Sequence, residues 1–189
     1  MTNRSVDLSR AGIGGFSPGR SRLLEAIWII IDAVIIDNRA NVFSGSRVFL
    51  LRLFGATIGR NCRFLHATRV KYPWKLSIGD NCWIGEGVVF YNHDNVAIGN
   101  NVCISQETFI ASGSHDLTNM DLTLAPIVIK DGVWISSRCF IQKGVTIGAN
   151  VVVTPNSVIH KSLADDGIYG GNPCKFLRSR WENRERSAV

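Results

Sequence analysis

The sequence has no CxxC pair: its five cysteines, Cys62, Cys82, Cys103, Cys139 and Cys174, are odd in number and widely spaced. That spacing signals neither a disulfide framework nor a zinc knuckle and makes a reducing cytoplasm the expected location. There is no long apolar run either, since Ile27 to Ile36 is interrupted by Asp32 and is too short to cross a bilayer. The opening stretch MTNRSVDLSRAGIGGFSPGR lacks the apolar centre of a secretory leader. Basic residues are in excess, with net charge +6 and a pI near 9.3, yet they form no block interleaved with aromatics. The footprint of a specific nucleic-acid binder is therefore missing, while anionic groups such as phosphates remain suitable partners. At 189 residues and 46% hydrophobic content, one domain with a sizeable core is expected.

What the chain does have is a beat of six. Aliphatic or aromatic residues recur at Ile58, Phe64 and Val70, then at Ile78, Ile84 and Phe90, and at Ile98, Ile104 and Ile110. Two further sets follow at Ile129, Ile135 and Ile141 and at Ile147, Val153 and Ile159. Period six matches no helix, so short strands separated by corners are implied. Each turn takes three such steps, and the extra residues between turns fall at one corner only. IGRN, IGDN, IGNN and IGAN open four of the turns, with Gly and Asn expected to supply left-handed backbone at the corner. The reading is an all-β solenoid, a parallel β-helix over residues 58–164, whose coils bury one another's inner faces. Cys62, Cys82 and Cys139, four places after periodic residues, are expected to pack inward as small hydrophobes.

The flanks read differently. Residues 1–21 are polar and rich in Gly and Ser, and a flexible N-terminus is expected. Residues 22–57 read as a helical or irregular cap on the first coil. Arg20, Arg22, Arg39, Arg47 and Arg52 among bulky apolar groups suggest a second role for it, peripheral contact with the inner membrane face. After Ile159 the chain is expected to leave the solenoid, with residues 165–189 forming an extension that ends in a basic, helical tail.

The beat breaks most severely after Ile110, where ASGSHD leads into a loop spanning 116–125. Loops on rigid scaffolds are usual places for function. His115 stands at the base of this one, and one coil earlier the same corner carries Tyr91, Asn92, His93 and Asp94. His115 is thus the candidate catalyst, whereas His66 and His160 read as structural. A metal site is not expected: a zinc hydratase resembling γ-type carbonic anhydrases needs three converging histidines, and these four lie on columns that do not converge.

The hexapeptide series, ASGSHD before a projecting loop, IVIKDGVWISSRCFIQKGVTIGANVVV after it and GGNPCKFLR near the end resemble hexapeptide-repeat O-acetyltransferases of the galactoside and maltose type. NVFSGSRVFLLRLFGATIG, VKYPWKLSIGDNCWIGEG and IGNNVCISQ are closer still to the colanic-acid-biosynthesis acetyltransferases. The resemblance, over about residues 40–180, implies a left-handed coil, a homotrimer, acetyl-CoA in a groove between neighbouring subunits and a sugar acceptor for surface polysaccharide. It further implies that His115 is the general base, that Asn92, His93 and Asp116 bind the acceptor, and that Trp134 and Ser137 line the cofactor groove. Lys161, Lys175 and Arg178 match basic positions near the cofactor phosphates. Three departures stand out: Gly85 replaces an acceptor-binding asparagine, His93 replaces an acidic acceptor group, and Pro155 removes a backbone N–H that the sugar enzymes aim at the cofactor. A catalytically silent scaffold is the alternative those departures keep open.

Overall fold

The computed structural model describes residues 6–182, and its centre is a three-sided parallel solenoid. The first coil comprises β1 (Thr57–Ile58), β2 (Arg63–Phe64) and β3 (Arg69–Val70); the second, β4 (Leu76–Ile78), β5 (Trp83–Ile84) and β6 (Val89–Tyr91). The third has β7 (Val96–Ile98), β8 (Cys103–Ile104) and β9 (Phe109–Ala111), and is followed by a hairpin of β10 (Gly113–His115) and β11 (Leu122–Leu124). Next come β12 (Ile127–Ile129), β13 (Trp134–Ile135) and β14 (Phe140–Ile141), then β15 (Thr146–Ile147), β16 (Val152–Val153) and β17 (Val158–Ile159). The chain closes with β18 (Gly167–Gly170) and β19 (Lys175–Ser179).

Stacking places the first strand of every coil in sheet A, the second in sheet B and the third in sheet C. All the period-six residues face inward and are buried, in columns such as Phe64, Ile84, Ile104, Ile135 and Val153. Truncating one of these isoleucines to alanine is expected to cost about 2–5 kcal/mol, because a close-packed column cannot collapse into the gap. At the corners, Asn61, Asn81, Asn101 and Asn150 take the left-handed backbone. The glycines beside them do not: a Cβ on Gly79 would stand 2.5 Å from the Asn100 side-chain oxygen of the next coil. Close coil-to-coil approach, rather than positive φ, demands glycine there. Cys82 and Cys139 are buried as expected, and each thiol donates to a carbonyl of the coil above, to Gly99 at 3.1 Å and Thr154 at 3.3 Å.

The cap satisfies the open end of the first coil. Helix α1 (Arg22–Ile31), N-capped by Ser21, runs on into a π-helical turn over Asp32–Ile36, and helix α2 (Ser44–Leu53) follows. Trp28 Nε1 donates to Val70 O at 2.7 Å and Asp32 Oδ1 accepts from Val70 N, so the free edge of sheet C finds partners. Ser44 Oγ accepts from Phe64 N on sheet B, and Arg52 donates to Ile58 O and Gly59 O on sheet A. Each exposed strand edge is thereby closed by a side chain, which removes a template for aggregation. Buried Arg47 joins the two helices by donating to the carbonyls of Ile36, Asn38, Asn41 and Phe43.

Two flanking expectations need correction. Residues 6–20 are not loose: Gly12 exchanges hydrogen bonds with Asp121 and Leu122 of the projecting loop, Trp74 Nε1 donates to Pro18 O and Lys75 Nζ to Ser17 O. Small, flexible residues there allow a backbone strap to lie flat over the corner, while residues 1–5 fall outside the described range. Nor does the chain leave the solenoid after Ile159. Leu163 bridges Ile147, β18 pairs in parallel with β16, and β19 turns back antiparallel on β18, because sheet B otherwise ends on an open edge. Residues 183–189 lie outside the described range.

Candidate active site

His115 ends β10, and the hairpin with β11 holds it in register opposite Leu122. Asp116 builds the turn beyond: its Oδ1 accepts from the backbone N–H groups of Thr118 and Asn119 and from the Thr118 hydroxyl, which holds the carboxyl below its ordinary range. The turn puts Met120 in left-handed backbone (φ 62°) and aims its carbonyl at the imidazole, 2.8 Å from His115 Nδ1. A carbonyl can only accept, so Nδ1 carries a proton, and in the neutral ring this tautomer leaves the lone pair on Nε2. The residue is exposed at the base of the loop.

One coil earlier His93 is in a different state. Its ring is 9% exposed, enclosed by Phe16, Tyr72 and Tyr91 at centroid distances of 5.3, 5.9 and 4.5 Å, and its Nδ1 is buried without a hydrogen-bond partner among the described residues. Burial, and then the charge of Lys71, push its pKa below the ordinary value, with Lys75 and His115 adding to the effect. A neutral imidazole with an unsatisfied nitrogen is the result, and such a group gains from a partner.

The other two expected acceptor residues are employed elsewhere. Asn92 is fully buried, its Oδ1 accepting from Tyr72 N at 3.0 Å and its Nδ2 donating to Tyr72 O at 2.7 Å. It staples one coil to the next. Asp116 folds the hairpin turn, and thus acts on His115 through Met120.

The residues expected at the cofactor stand on another side of the prism. Trp134 projects from sheet B, half-exposed, and its Nε1 donates to Ser105 Oγ at 3.1 Å. In register with it on the outer face run Trp83, Cys103, Val152, Ile168 and Arg178. Beside small Cys103, on the Trp83 side, lies a slot of about 200 Å³ bordered also by Arg63, Leu65, Gly85, Ser105 and Gln106. Arg178 lies three strand steps from Trp134, about 14 Å at the usual spacing. Lys175 shares strand β19 with Arg178, and Ser137 sits at the corner just beyond Trp134. Lys161 does not join them; it follows β17 on the C-to-A corner, the corner of His93 and His115. Trp83 went unnoticed in the sequence, although it and Trp134 both immediately precede a periodic isoleucine. Among the described residues no group of three or more His, Cys, Asp or Glu is placed to hold a metal ion.

Comparison with known proteins agrees with this architecture. Residues 126–161 match the bacterial transferase hexapeptide (six repeats) family. Over 178 residues, 93% of this chain and 98% of the relative, the sequence is 36% identical to WcaF of Escherichia coli K12, named for colanic acid biosynthesis as an acetyltransferase. The galactoside O-acetyltransferase of the same organism is 28% identical over 137 residues, 70% of this chain and 68% of its own. A hexapeptide-repeat acetyltransferase from Vibrio cholerae O1 biovar eltor, solved with acetyl coenzyme A, superposes with a TM-score of 0.79 at 28% identity, covering 91% of this chain and 97% of that one. A left-handed parallel β-helix with a histidine-bearing loop, 36% identity to an acetyltransferase over nearly the full length and a matching hexapeptide pattern lead to one assignment: this chain belongs to the hexapeptide-repeat acetyltransferases and is an acyltransferase.

Proposed function

We propose that the protein transfers the acetyl group of acetyl-CoA to a hydroxyl of a sugar destined for surface polysaccharide, with His115 as general base. The observation that carries this reading is the Met120 carbonyl on His115 Nδ1, which leaves Nε2 as the proton acceptor at an exposed corner. Acetyl-CoA supplies an activated acyl carbon. His115 Nε2 takes the proton of the acceptor hydroxyl as its oxygen attacks the thioester carbon, a general-base contribution worth about 10²–10⁴-fold. The C–S bond then breaks, the CoA thiolate leaves and receives that proton as the free thiol, and the acetyl ester stays on the acceptor.

The sheet B column fits a long, thin ligand with an apolar arm and an anionic head. Trp134 with Trp83 offers apolar walls, Ser137 a hydrogen-bonding group, and Lys175 and Arg178 cationic donors at the far end for phosphate oxygens. His115 and this column occupy different sides of one prism, which favours a groove completed by a neighbouring copy in a cyclic homotrimer. One copy then lends His115, His93 and Lys161, and the next lends Trp134, Lys175 and Arg178. His93, one coil from His115, would form part of the acceptor corner. A cytoplasmic location belongs to the same reading, since acetyl-CoA is an intracellular metabolite.

Thiol release from acetyl-CoA, followed across free sugars, nucleotide sugars and lipid-linked oligosaccharides, tests the reading. Acceptor-dependent release with at least one class is expected. Release that no acceptor in the panel stimulates would contradict it.

A further inference from the structure

A surface helix ordinarily turns its apolar stripe inward and its charges outward. Helix α1 and its π-helical continuation do the reverse. Leu23, Ile27, Ile30 and Val34, spaced by four, three and four residues, form one stripe and are 72, 41, 64 and 59% exposed. The carboxylates of the same segment point inward: Glu25 accepts from the Tyr72 hydroxyl at 3.1 Å and Asp32 from Val70 N at 3.2 Å. Burial, as the main cause, pushes the Asp32 pKa up to about 6. Helix α2 adds Phe49 and Leu53 at i, i+4 spacing, with Val42 and Phe43 just before it, all exposed.

We propose that this cap face is a docking surface for an anionic lipid bilayer, through which the enzyme rests on the membrane. Charge decides for lipid over a second copy of the chain. The acids of α1 are turned away from the face, while Arg20 and Arg22 stand exposed at the start of the stripe without an ion-pair or hydrogen-bond partner among the described residues. Arg39 and Arg52 are exposed farther along, Arg39 3.7 Å from Glu86 and Arg52 bonded to the first coil. Bulky apolar groups with a rim of arginines suit the headgroup–acyl boundary, where each cation near an anionic surface contributes about 1 kcal/mol. No helix among the described residues is long and apolar enough to span a membrane, so the contact is with one surface. The inference does not depend on the acceptor being a sugar.

Flotation of the full chain with vesicles tests it, comparing phosphatidylcholine alone with phosphatidylcholine containing about one third phosphatidylglycerol. The protein should float with the anionic vesicles and much less with the neutral ones. Leu23→Ser, Ile27→Ser and Ile30→Ser together should lower the floated fraction about tenfold while thiol release persists and thermal stability changes little, because these side chains are exposed and lie outside the buried core. Arg20→Glu with Arg22→Glu should abolish the preference for anionic lipid. Wild-type protein that stays with the soluble fraction overturns the proposal, as does a triple variant that floats undiminished. A triple variant that dissociates the oligomer in light scattering also overturns it and assigns the stripe to contacts between copies.

Discussion

The C-to-A corner and the outer face of sheet B come from the same repeat but use it in opposite ways. At the corner the beat is broken, and the break frees residues for new geometry: a strap, a hairpin and two histidines one coil apart. On sheet B the beat is kept from Phe64 to Val153 and only the outward residue of each step varies, giving Trp83, Cys103, Trp134 and Val152, a column that β18 and the antiparallel β19 extend with Ile168 and Arg178. The corner sets the protonation and direction of individual groups. The face supplies a straight track. Within the corner, His115 is exposed with one nitrogen bound, whereas His93 is enclosed with one nitrogen orphaned, so ring chemistry alone does not assign a role.

If the corner does the chemistry, His115→Ala should lower kcat by about 10²-fold or more with little change in melting temperature or CoA affinity, since the ring packs on no core residue. Comparable kcat in the variant would break the comparison at its strongest point. Asn92 sharpens it, being a corner residue with a structural task. Asn92→Ala leaves buried Tyr72 backbone groups unpaired and should cost about 1–3 kcal/mol in chemical denaturation, while Asn92→Ser should recover part of that loss.

Changes on the track should act on binding instead. Arg178→Glu or Lys175→Glu is expected to raise the KM for acetyl-CoA about fivefold to tenfold with kcat nearly constant, an effect that added salt diminishes in the wild type. A fall in kcat at unchanged KM would put sheet B into the chemical step.

The smallest effect concerns His93. Its folded-state pKa lies below its unfolded value near 6.5, so the unfolded chain binds more protons as the pH falls through that value. Stability should therefore decline on acidification from about pH 7 to 5, and His93→Gln should reduce that decline when melting temperatures are compared. Asp32, raised to about 6, works in the opposite direction: its contribution grows as pH falls through 6 toward 4. An unchanged pH profile in His93→Gln would mean that the ring is not held neutral.

How much of this was legible in the sequence follows from range. The inward columns repeat every six residues and local periodicity reveals them, as it reveals the break before His115. The strap was invisible because Gly12 and Phe16 acquire partners more than fifty residues away, at Asp121 and at Tyr72 and His93. KFLR read as part of an extension outside the solenoid because its strand pairing depends on the open edge of sheet B, a property of the assembled solenoid. Asn92 and Asp116 have polar side chains suited to a sugar, and only their hydrogen-bond partners show that one staples coils and the other shapes a turn.

The central claim is that the catalytic corner and the cofactor track meet between copies of the chain. Mixing answers it most directly: His115→Ala chains, nearly inactive alone, and chains carrying Trp134→Ala with Arg178→Glu, weak at acetyl-CoA well below the wild-type KM, are assembled together and assayed for thiol release at that low concentration. If neighbouring copies share each site, random assembly restores about a quarter of the sites, and activity rises well above either parent. Activity no greater than the mean of the two parents, in oligomers shown to contain both chains, would place the whole site within one chain and contradict the account.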